Sequence, residues 1–327
     1  MKAAVLTGPG HIDLVDRQEP SCGPGEVLVR VTGVGICGSD LTVFGGGRPV
    51  PEMPWVMGHE GIGVISAIGP DVSDRHVGQR VVIEPNYPCF DCPACSRGET
   101  CGCRNKVMIG MNTPGLLAEF VVIPARFAWP TPSGLTDGQM VCLEPLAVAT
   151  AALRRAGGVR PSQRSVVVGA GSTGLIFCAT LLANGVRPDV IEPHAGRAEL
   201  AVSLGARIFQ EGVDGPYDRV YETSGVASAV EQALGLARDG GTVTLTGLGT
   251  TPVTTTSAAI VRHRLTIIGS LVYDHPRDFA ATLAAPLPAL DRIIRAEFPL
   301  ERAQEAFENA REVPGKSWIS MEPEVQG

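Results

Sequence analysis

A glycine-rich segment behind a short apolar strand limits what this chain can fold into more than any other feature. Residues 166–168 are three valines, and they lead into Gly169-Ala-Gly171-Ser-Thr-Gly174 and a further apolar stretch. In the spacing G-x-G-x-x-G, the glycines permit a tight turn and let a pyrophosphate approach the N-terminus of the following helix. The segment therefore predicts a βαβ unit in a parallel sheet that binds a dinucleotide. Its candidate cofactor-binding residues are Gly169, Gly171, Ser172, Thr173 and Gly174.

An acidic residue at the end of the next predicted strand bears on which dinucleotide binds. Glu192 stands where a carboxylate accepts hydrogen bonds from the adenosine ribose hydroxyls, and its charge would repel a 2′-phosphate. NAD is therefore favoured over NADP. His194 and Arg197 lie close by and are able to pair with a 2′-phosphate, so NADP stays open as the alternative.

Two kinds of sequence pattern indicate two domains in the 327 residues. The first part shows short β segments separated by glycine and proline, and later strands alternate with helical stretches. We expect a β-rich domain at residues 1–148 and 287–327, and a dinucleotide-binding domain at residues 149–286. The stretch between Leu204 and Arg219 is short for a helix and a strand, so we expect one helix of the second domain to be trimmed or lost.

Five of the nine cysteines crowd into one short segment. The spacing C-x2-C-x2-C-x7-C is formed by Cys89, Cys92, Cys95 and Cys103. Four thiolates this close can surround one tetrahedral zinc ion with no open position, as in structural zinc sites. Cys101 competes as the fourth ligand, although the spacing favours Cys103. We therefore expect a zinc-binding lobe at about residues 86–106, and four buried reduced cysteines are the alternative.

Two further loops offer a different set of ligands. The loops around Cys37 and around His59-Glu60 place a thiol, an imidazole and a carboxylate beside glycines that let the backbone approach closely. Such a mixed set is typical of a catalytic zinc with one exchangeable position. Each loop alone would be ordinary core sequence, and only the joint pattern predicts a second metal site.

The segments Gly-Ile-Cys-Gly-Ser-Asp, Gly-His-Glu and the four-cysteine lobe, in this order and at these intervals, resemble the medium-chain zinc alcohol dehydrogenase family along essentially the whole chain. The resemblance is strongest to its sorbitol/polyol, threonine, and sugar or aminocyclitol dehydrogenase branch. It implies a fold of class α/β plus β, with an N-terminal GroES-like β-barrel catalytic domain and a Rossmann doubly wound parallel-sheet cofactor domain. A homo-oligomer, either a dimer or a tetramer, is also expected.

The resemblance assigns ligands to the catalytic zinc. In this branch a cysteine, a histidine and the following glutamate bind the ion, and the corresponding residues here are Cys37, His59 and Glu60. Glu144, in the motif Glu144-Pro-Leu, corresponds to a further glutamate that binds the metal directly or through water. Classical alcohol dehydrogenases carry a cysteine there. Because a carboxylate offers oxygen lone pairs to a hydroxyl, Glu144 favours polyhydroxylated substrates.

The resemblance also assigns proton-transfer and cofactor residues. Ser39 corresponds to the hydroxyl that moves the proton away from the substrate oxygen. Many relatives continue this path through a histidine where this chain has Thr42, so water or a carboxylate is expected to take over. Arg197 corresponds to an arginine that lies against the adenine. The residues that correspond to the lining of the nicotinamide are Thr223, Gly247, Leu248, Ser270 and Leu271.

These features together predict an oxidoreductase that uses two zinc ions per chain and NAD. We expect hydride transfer between NAD and a secondary alcohol of a polyol, sugar, amino-alcohol or aminocyclitol, which gives a ketone. The alternatives are a dehydrogenase of simple alcohols or aldehydes and a non-catalytic, zinc-stabilised binding protein. Candidate pocket residues mix aromatic and acidic groups, which favours a polar or amine-bearing substrate, and they are Phe44, Glu52, Trp55 and Tyr273.

Charge and hydropathy limit the other partners. The formal net charge is -7 and the basic residues are scattered, so we expect neither nucleic acid nor an anionic membrane as a partner. No run of about 20 apolar residues is present to cross a bilayer. The first residues also lack the apolar stretch of a secretory signal, so a cytoplasmic location is expected. The expected partner is a small polar alcohol or ketone.

Overall fold

The computed structural model describes residues 1–321. The strands are β1 (Lys2–Gly8), β2 (His11–Asp16), β3 (Glu26–Gly35), β4 (Trp55–Val56), β5 (Glu60–Ile68), β6 (Arg80–Ile83), β7 (Asn86–Tyr87), β8 (Val107–Met108), β9 (Phe120–Pro124), β10 (Ala128–Pro130), β11 (Ser165–Val168), β12 (Asp189–Ile191), β13 (Arg207–Ile208), β14 (Tyr217–Glu222), β15 (Ala237–Leu245), β16 (Thr266–Gly269), β17 (Ile294–Pro299) and β18 (Lys316–Ser320). The helices are α1 (Gly38–Phe44), α2 (Pro93–Ser96), α3 (Asp137–Met140), α4 (Leu143–Arg155), α5 (Ser172–Ala183), α6 (Ala195–Leu204), α7 (Ala227–Leu236), α8 (Ser257–Arg262), α9 (Arg277–Ala284) and α10 (Ala303–Asn309).

The chain divides into two compact units. The first comprises Met1–Glu144 and the chain from Ile294 onward, and the second comprises Pro145–Ile293. Both boundaries lie a few residues from the expected ones, after residue 144 instead of 148 and before residue 294 instead of 287. Helix α4 runs through the first boundary without a loop, which is why the sequence has no glycine-rich break there. No helix within residues 1–321 is both long and apolar enough to cross a membrane.

The first unit is built around antiparallel strands. Its larger sheet has the order β10-β6-β5-β3-β18-β17, and β9 also pairs with β3. A second sheet has the order β2-β1-β4. In β3 the valine-rich stretch buries nearly every side chain, as expected for a strand packed on both faces. Strand β18 pairs antiparallel with β3, so the last described segment returns to the first unit.

The second unit is a parallel sheet with the order β13-β12-β11-β14-β15-β16. Counted along the chain, this is the order 3-2-1-4-5-6, which places a ligand crevice at the carboxyl ends of the strands where the order reverses. Strand β11 is four consecutive buried residues, and the apolar helix α5 follows the glycine turn. The doubly wound parallel sheet predicted from the sequence is confirmed.

The connection from β13 to β14 lacks a helix, as expected from its short length. A turn at residues 211–214 takes its place. The guanidinium of Arg207 holds the turn, because it pairs with Asp189 at 2.6 Å and with Asp214 at 2.8 Å. The hydroxyl of Tyr217 also donates a hydrogen bond to Asp189, at 2.5 Å. An ion-pair cluster with buried carboxylates and a half-exposed guanidinium thus stands where a helix would otherwise pack at this edge of the sheet.

Candidate metal centres and cofactor-binding turn

Two neighbouring strands bring the first ligand group together. Cys37 follows β3 and is the N-cap of α1, whereas Glu60 opens β5, and the two strands pair with Gly35 opposite Glu60. Only glycine fits at residue 35, because a Cβ there would overlap the Glu60 carboxylate. As a result, ligand atoms of Cys37, His59 and Glu60 all lie within 4.8 Å of one another. A thiol, an imidazole and a carboxylate at this separation fit one zinc ion.

Asp40 orients the histidine of this group. Its Oδ1 lies 3.0 Å from Nδ1 of His59, and its Oδ2 accepts a hydrogen bond from the Cys37 backbone N–H at 3.1 Å. Nε2 of His59 is thereby left for a metal, with Oγ of Ser39 at 3.5 Å. Burial by itself would lower the pKa of His59, but the Asp40 carboxylate and Cys37 outweigh it and raise the pKa well above 6.5. A metal must therefore displace a proton from this ring when it binds.

Glu60 has a buried cationic partner that sequence reasoning missed. Nζ of Lys316 forms an ion pair with Oε2 of Glu60 and donates a hydrogen bond to the Ile36 carbonyl at 3.0 Å. Both charged side chains are 1% exposed. Burial alone would lower the pKa of Lys316, but Glu60, Cys37 and Cys142 raise it. The available signal was a lysine directly before the segment Ser-Trp-Ile-Ser of β18, since a buried ammonium requires an anionic partner.

Glu144 lies near the start of α4 and is 4% exposed. Among residues 1–321, the ligand group around Cys37 contains three residues, and Glu144 is not one of them. Its role as a ligand, whether direct or through water, stays a prediction. Cys142, two residues earlier, is fully buried, and burial raises the pKa of its thiol to about 12. That thiol is an inert core group, as expected for an isolated cysteine.

The second ligand group is the four-cysteine lobe. Sulfur atoms of Cys89, Cys92, Cys95 and Cys103 all lie within 4.8 Å of one another. Cys101 is outside this group, and its carbonyl accepts a hydrogen bond from Lys106. The backbone N–H of Cys95 lowers the pKa of Cys92 to about 6, whereas burial raises the pKa of Cys95 to about 12. Four sulfurs with no other donor fit a closed tetrahedral zinc site.

The glycine turn after β11 is shaped for a pyrophosphate. Gly169 has a φ of 92°, in the left-handed region that glycine favours. A Cβ on Gly174 would overlap the carbonyl oxygen of Gly169, so the turn can close against the helix only without a side chain there. Gly171, the N-cap of α5, would place a Cβ in open space. The N-terminus of α5 is therefore accessible to an anion.

Glu192 lies between this turn and the next helix. Its Oε2 accepts a hydrogen bond from the Ala170 N–H at 2.7 Å, and its Oε1 accepts one from the His194 N–H at 2.9 Å. The ring of His194 caps α6 by accepting from the Arg197 N–H at 3.3 Å. The carboxylate is thus fixed beside the glycine turn, where an adenosine ribose would contact it.

The remaining predicted cofactor residues follow β14, β15 and β16, at the same edge of the sheet. Oγ1 of Thr223 donates hydrogen bonds to the carbonyls of Val168 and Gly169, at 3.2 and 3.0 Å. Gly247 packs against the backbone of Gly225, because a Cβ on it would overlap the Gly225 nitrogen. Leu248 is 75% exposed. These loops therefore lie together around the carboxyl ends of the strands.

Three of the candidate pocket residues pack against the core. Trp55 is 2% exposed, and its indole N–H donates to the Gly110 carbonyl at 3.0 Å. Phe44 packs against Phe307, and the buried Tyr273 packs against Phe279, each with ring centroids 5.4 Å apart. Because large aromatic side chains serve core packing as readily as binding, the place of these three residues in a substrate pocket stays a prediction. Glu52 is exposed.

Two family models match the chain: the alcohol dehydrogenase GroES-like domain over residues 23–133 and the zinc-binding dehydrogenase over residues 172–286. L-threonine 3-dehydrogenase of Pyrococcus horikoshii is 34% identical over 95% of each chain. Sorbitol dehydrogenase of Bombyx mori is 29% identical over 94% of this chain and 95% of its own. An alcohol dehydrogenase structure from Escherichia coli CFT073, complexed with NADH, has a TM-score of 0.90 at 25% identity and covers 98% of this chain and 99% of its own. These matches confirm the expected fold class, and the chain belongs to the zinc-dependent medium-chain dehydrogenase family.

Proposed function

We propose that this protein is a zinc- and NAD-dependent dehydrogenase that converts a secondary alcohol of a polyol, sugar, amino-alcohol or aminocyclitol into a ketone. The observation that carries the proposal is the group formed by Cys37, His59 and Glu60, whose mixed donors suit a zinc ion with an exchangeable position. A binding protein stabilised by zinc would need only the four-cysteine lobe, and the second ligand group would serve no purpose in it.

The protein residues prepare this centre for the metal and the substrate. When bound, zinc supplies a Lewis acid that makes a substrate hydroxyl more acidic, and NAD supplies a hydride acceptor. Asp40 fixes the ring of His59 through Nδ1, which leaves Nε2 as the ligand nitrogen. Lys316 holds one oxygen of Glu60 and offsets one of the negative charges that the ligands bring into a buried place.

Ser39 is proposed to move the proton of the substrate hydroxyl. Its Oγ lies 3.5 Å from Nε2 of His59, so it is beside the nitrogen that would bind the metal. Thr42 does not extend this path, because it is exposed and its hydroxyl donates back to the Gly38 carbonyl at 3.0 Å. We therefore propose that the proton passes from Ser39 to water.

The substrate class is inferred from Glu144 and from the relatives. One relative bears the name of a threonine dehydrogenase and another that of a sorbitol dehydrogenase, and both names denote substrates with a secondary hydroxyl and further polar groups. Glu144 is buried, and we propose that it lies beside the metal, where its oxygens would accept hydrogen bonds from hydroxyls or an ammonium group of such substrates.

NAD is proposed to bind the second unit through the carboxyl ends of its strands. The open N-terminus of α5 would receive the pyrophosphate, Glu192 the ribose, and Arg197 the adenine. A relative of the same fold was solved with NADH. The proposed contacts to the nicotinamide half come from Thr223, Gly247, Leu248, Ser270 and Leu271.

A second zinc ion is proposed in the four-cysteine lobe, which gives two ions per chain. The sulfurs of Cys89 and Cys103 are 3.5 Å apart, as are those of Cys92 and Cys95, so all four already converge on one point. This ion would have a structural role, because four sulfurs leave no position for a substrate.

We also propose that the protein is a homo-oligomer that pairs the edge strand β16. This strand ends the parallel sheet, and its Ile267 is 38% exposed. Val261 on the preceding helix α8 is 71% exposed. An exposed edge with apolar side chains is a template for pairing with a second copy.

A substrate panel tests the proposed function. Purified protein with its zinc is mixed with NAD and with polyols, amino-alcohols, aminocyclitols and simple primary alcohols, and NADH formation is followed by absorbance. We expect the highest kcat/KM for a compound with a secondary hydroxyl next to a second polar group. A preference for simple primary alcohols would support the alternative dehydrogenase, and no turnover with any class would contradict the proposal.

A further inference from the structure

Arg155 joins α4 to the loop that follows β16. Its Nη1 donates hydrogen bonds to three acceptors in that loop, Oγ of Ser270 at 2.8 Å, the Val272 carbonyl at 3.0 Å and the Leu271 carbonyl at 3.3 Å. Its Nη2 reaches the buried Asp274 at 3.4 Å. The Arg155 side chain, which is 15% exposed, thus contacts four of the five residues from Ser270 to Asp274.

The loop has a conformation that needs such support. Val272 has a φ of 43°, in the left-handed region that a β-branched residue strongly disfavours. A strained residue of this kind persists only when surrounding contacts over-determine it, and such residues concentrate at ligand-binding sites. The carbonyl of the strained residue is one of the groups that Arg155 holds. The guanidinium therefore contacts the strained residue itself.

The contacts of Arg155 also orient the backbone carbonyl and N–H groups of this loop. In a planar trans peptide the C=O and the next N–H point in opposite directions. Because Arg155 draws the carbonyls of Leu271 and Val272 toward α4, the N–H of Val272 is directed away from that helix. Ser270 lies directly beyond β16, where its N–H donates to the Leu245 carbonyl at 2.8 Å. The loop thus stands at the carboxyl edge of the sheet, where a dinucleotide binds in this type of fold.

From these contacts we infer that Arg155 is a positioning residue for the nicotinamide half of the cofactor. Its contacts fix the conformation of residues 270–272, which follow β16. The inference rests on the proposed NAD-binding function of the second unit. Replacement of Arg155 should weaken binding of the whole dinucleotide but spare a ligand that lacks the nicotinamide ring.

Arg154 provides a matched control. It precedes Arg155 in the same helix and pairs with Asp274 at 2.8 Å and with Asp278 at 2.6 Å. Among the contacts found in residues 1–321, it has none to the carbonyls that Arg155 holds. Loss of Arg154 therefore weakens the ion pairs at Asp274 and Asp278 but leaves the contacts of Arg155 to residues 270–272 in place.

The experiment measures the dissociation constants of NADH and of ADP-ribose for the parent, Arg155→Lys, Arg155→Met, Ser270→Ala and Arg154→Met, by calorimetry on folded, zinc-containing protein. Loss of charge-assisted hydrogen bonds predicts that Arg155→Met weakens NADH binding about tenfold. ADP-ribose binding should change less than about twofold, so the ratio of the two constants shifts. Arg155→Lys should shift it in the same direction, because an ammonium lacks the planar fork. Ser270→Ala, which removes one acceptor, should shift the ratio of the two dissociation constants less. Arg154→Met should leave that ratio as in the parent.

Each other outcome counts against the inference. If NADH and ADP-ribose weaken equally in both Arg155 variants, or if neither changes, Arg155 supports the fold alone and the inference is overturned. If Arg154→Met shifts the ratio as much as Arg155→Met, the ion cluster is responsible and the inference also falls. A parent protein that binds neither ligand would overturn the proposed function itself, which separates the two failures.

Discussion

Asp40 is the residue on which the geometry of the candidate catalytic centre most depends, because it binds both the His59 ring and the Cys37 backbone. We expect Asp40→Asn to weaken zinc binding at this centre by about 10- to 100-fold, the usual effect of losing such an outer partner. Asparagine keeps a carbonyl oxygen of the same size, so the fold should survive. Chelator competition on the variant and the parent measures the difference, and equal affinities would contradict the proposed orienting role.

Glu192 decides the proposed choice of cofactor. Its carboxylate is fixed by the N–H groups of Ala170 and His194, so its charge stays where a 2′-phosphate would lie. We expect kcat/KM to favour NAD in the parent and Glu192→Ala to reduce that preference by about tenfold or more, because one repulsive charge is removed. Steady-state kinetics with both cofactors provide the measurement. A parent that prefers NADP would mean that Arg197 and His194 outweigh the carboxylate.

Lys316 is expected to stabilise the fold through Glu60. Lys316→Met leaves a buried carboxylate without its cation, and breaking such a pair costs about 3–5 kcal/mol of unfolding free energy. Lys316→Arg retains the charge and is the matched control. Urea denaturation of the three proteins gives the values.

The pH dependence of this loss follows from the raised pKa of Lys316. A group whose pKa is higher in the folded state contributes its full stability below its ordinary value of 10.5 and loses it as the pH rises through the folded value. The difference between the parent and Lys316→Met should therefore be constant from about pH 6 to about pH 9. A gap that closes within that interval would contradict the assignment.

At the scale of elements, substitutions in the two ligand groups should have different effects. Loss of a cysteine in the four-cysteine lobe should lower stability, whereas loss of Cys37 after β3 should abolish catalysis. We expect Cys92→Ala to remove one zinc ion per chain and to lower the melting temperature, because a closed zinc site contributes folding free energy directly. Cys37→Ala should also remove one ion, yet stay folded and lose turnover. Zinc analysis, calorimetry and kinetics test both, with Cys22→Ala as the control for an isolated cysteine. Full activity in Cys37→Ala would refute the catalytic assignment.

Elements with a strong local pattern were predicted well, and those defined by packing were not. Strand β11 and helix α5 follow directly from the three valines and from the apolar stretch behind the glycine turn. Helix α4 was not predicted, because Pro145 near its start and a run of small residues hide its periodicity. This omission also hid Arg155, whose role depends on a loop more than a hundred positions later in the chain.

For the whole molecule, the prediction concerns assembly. If copies pair through β16, Ile267→Lys should place a charge in the interface and shift the protein toward monomer. Val202 on α6 is an exposed apolar residue away from that edge, so Val202→Lys is the control. Light scattering after size-exclusion chromatography measures the mass of each. An unchanged mass for Ile267→Lys would show that the interface does not involve β16. A monomeric parent would contradict the proposal that the protein is a homo-oligomer.

The sequence by itself determined the ligand types, the glycine turn, the parallel sheet and the lost helix between β13 and β14. Each of these depends on spacing along the chain, because glycines, cysteines and apolar runs act on their near neighbours. Only the tertiary structure decided that Lys316 pairs with Glu60, that Trp55 belongs to the core and that Arg155 holds the loop after β16. These contacts join residues distant in sequence, and nothing in their local sequence shows which partner compensates a buried charge or a strained backbone.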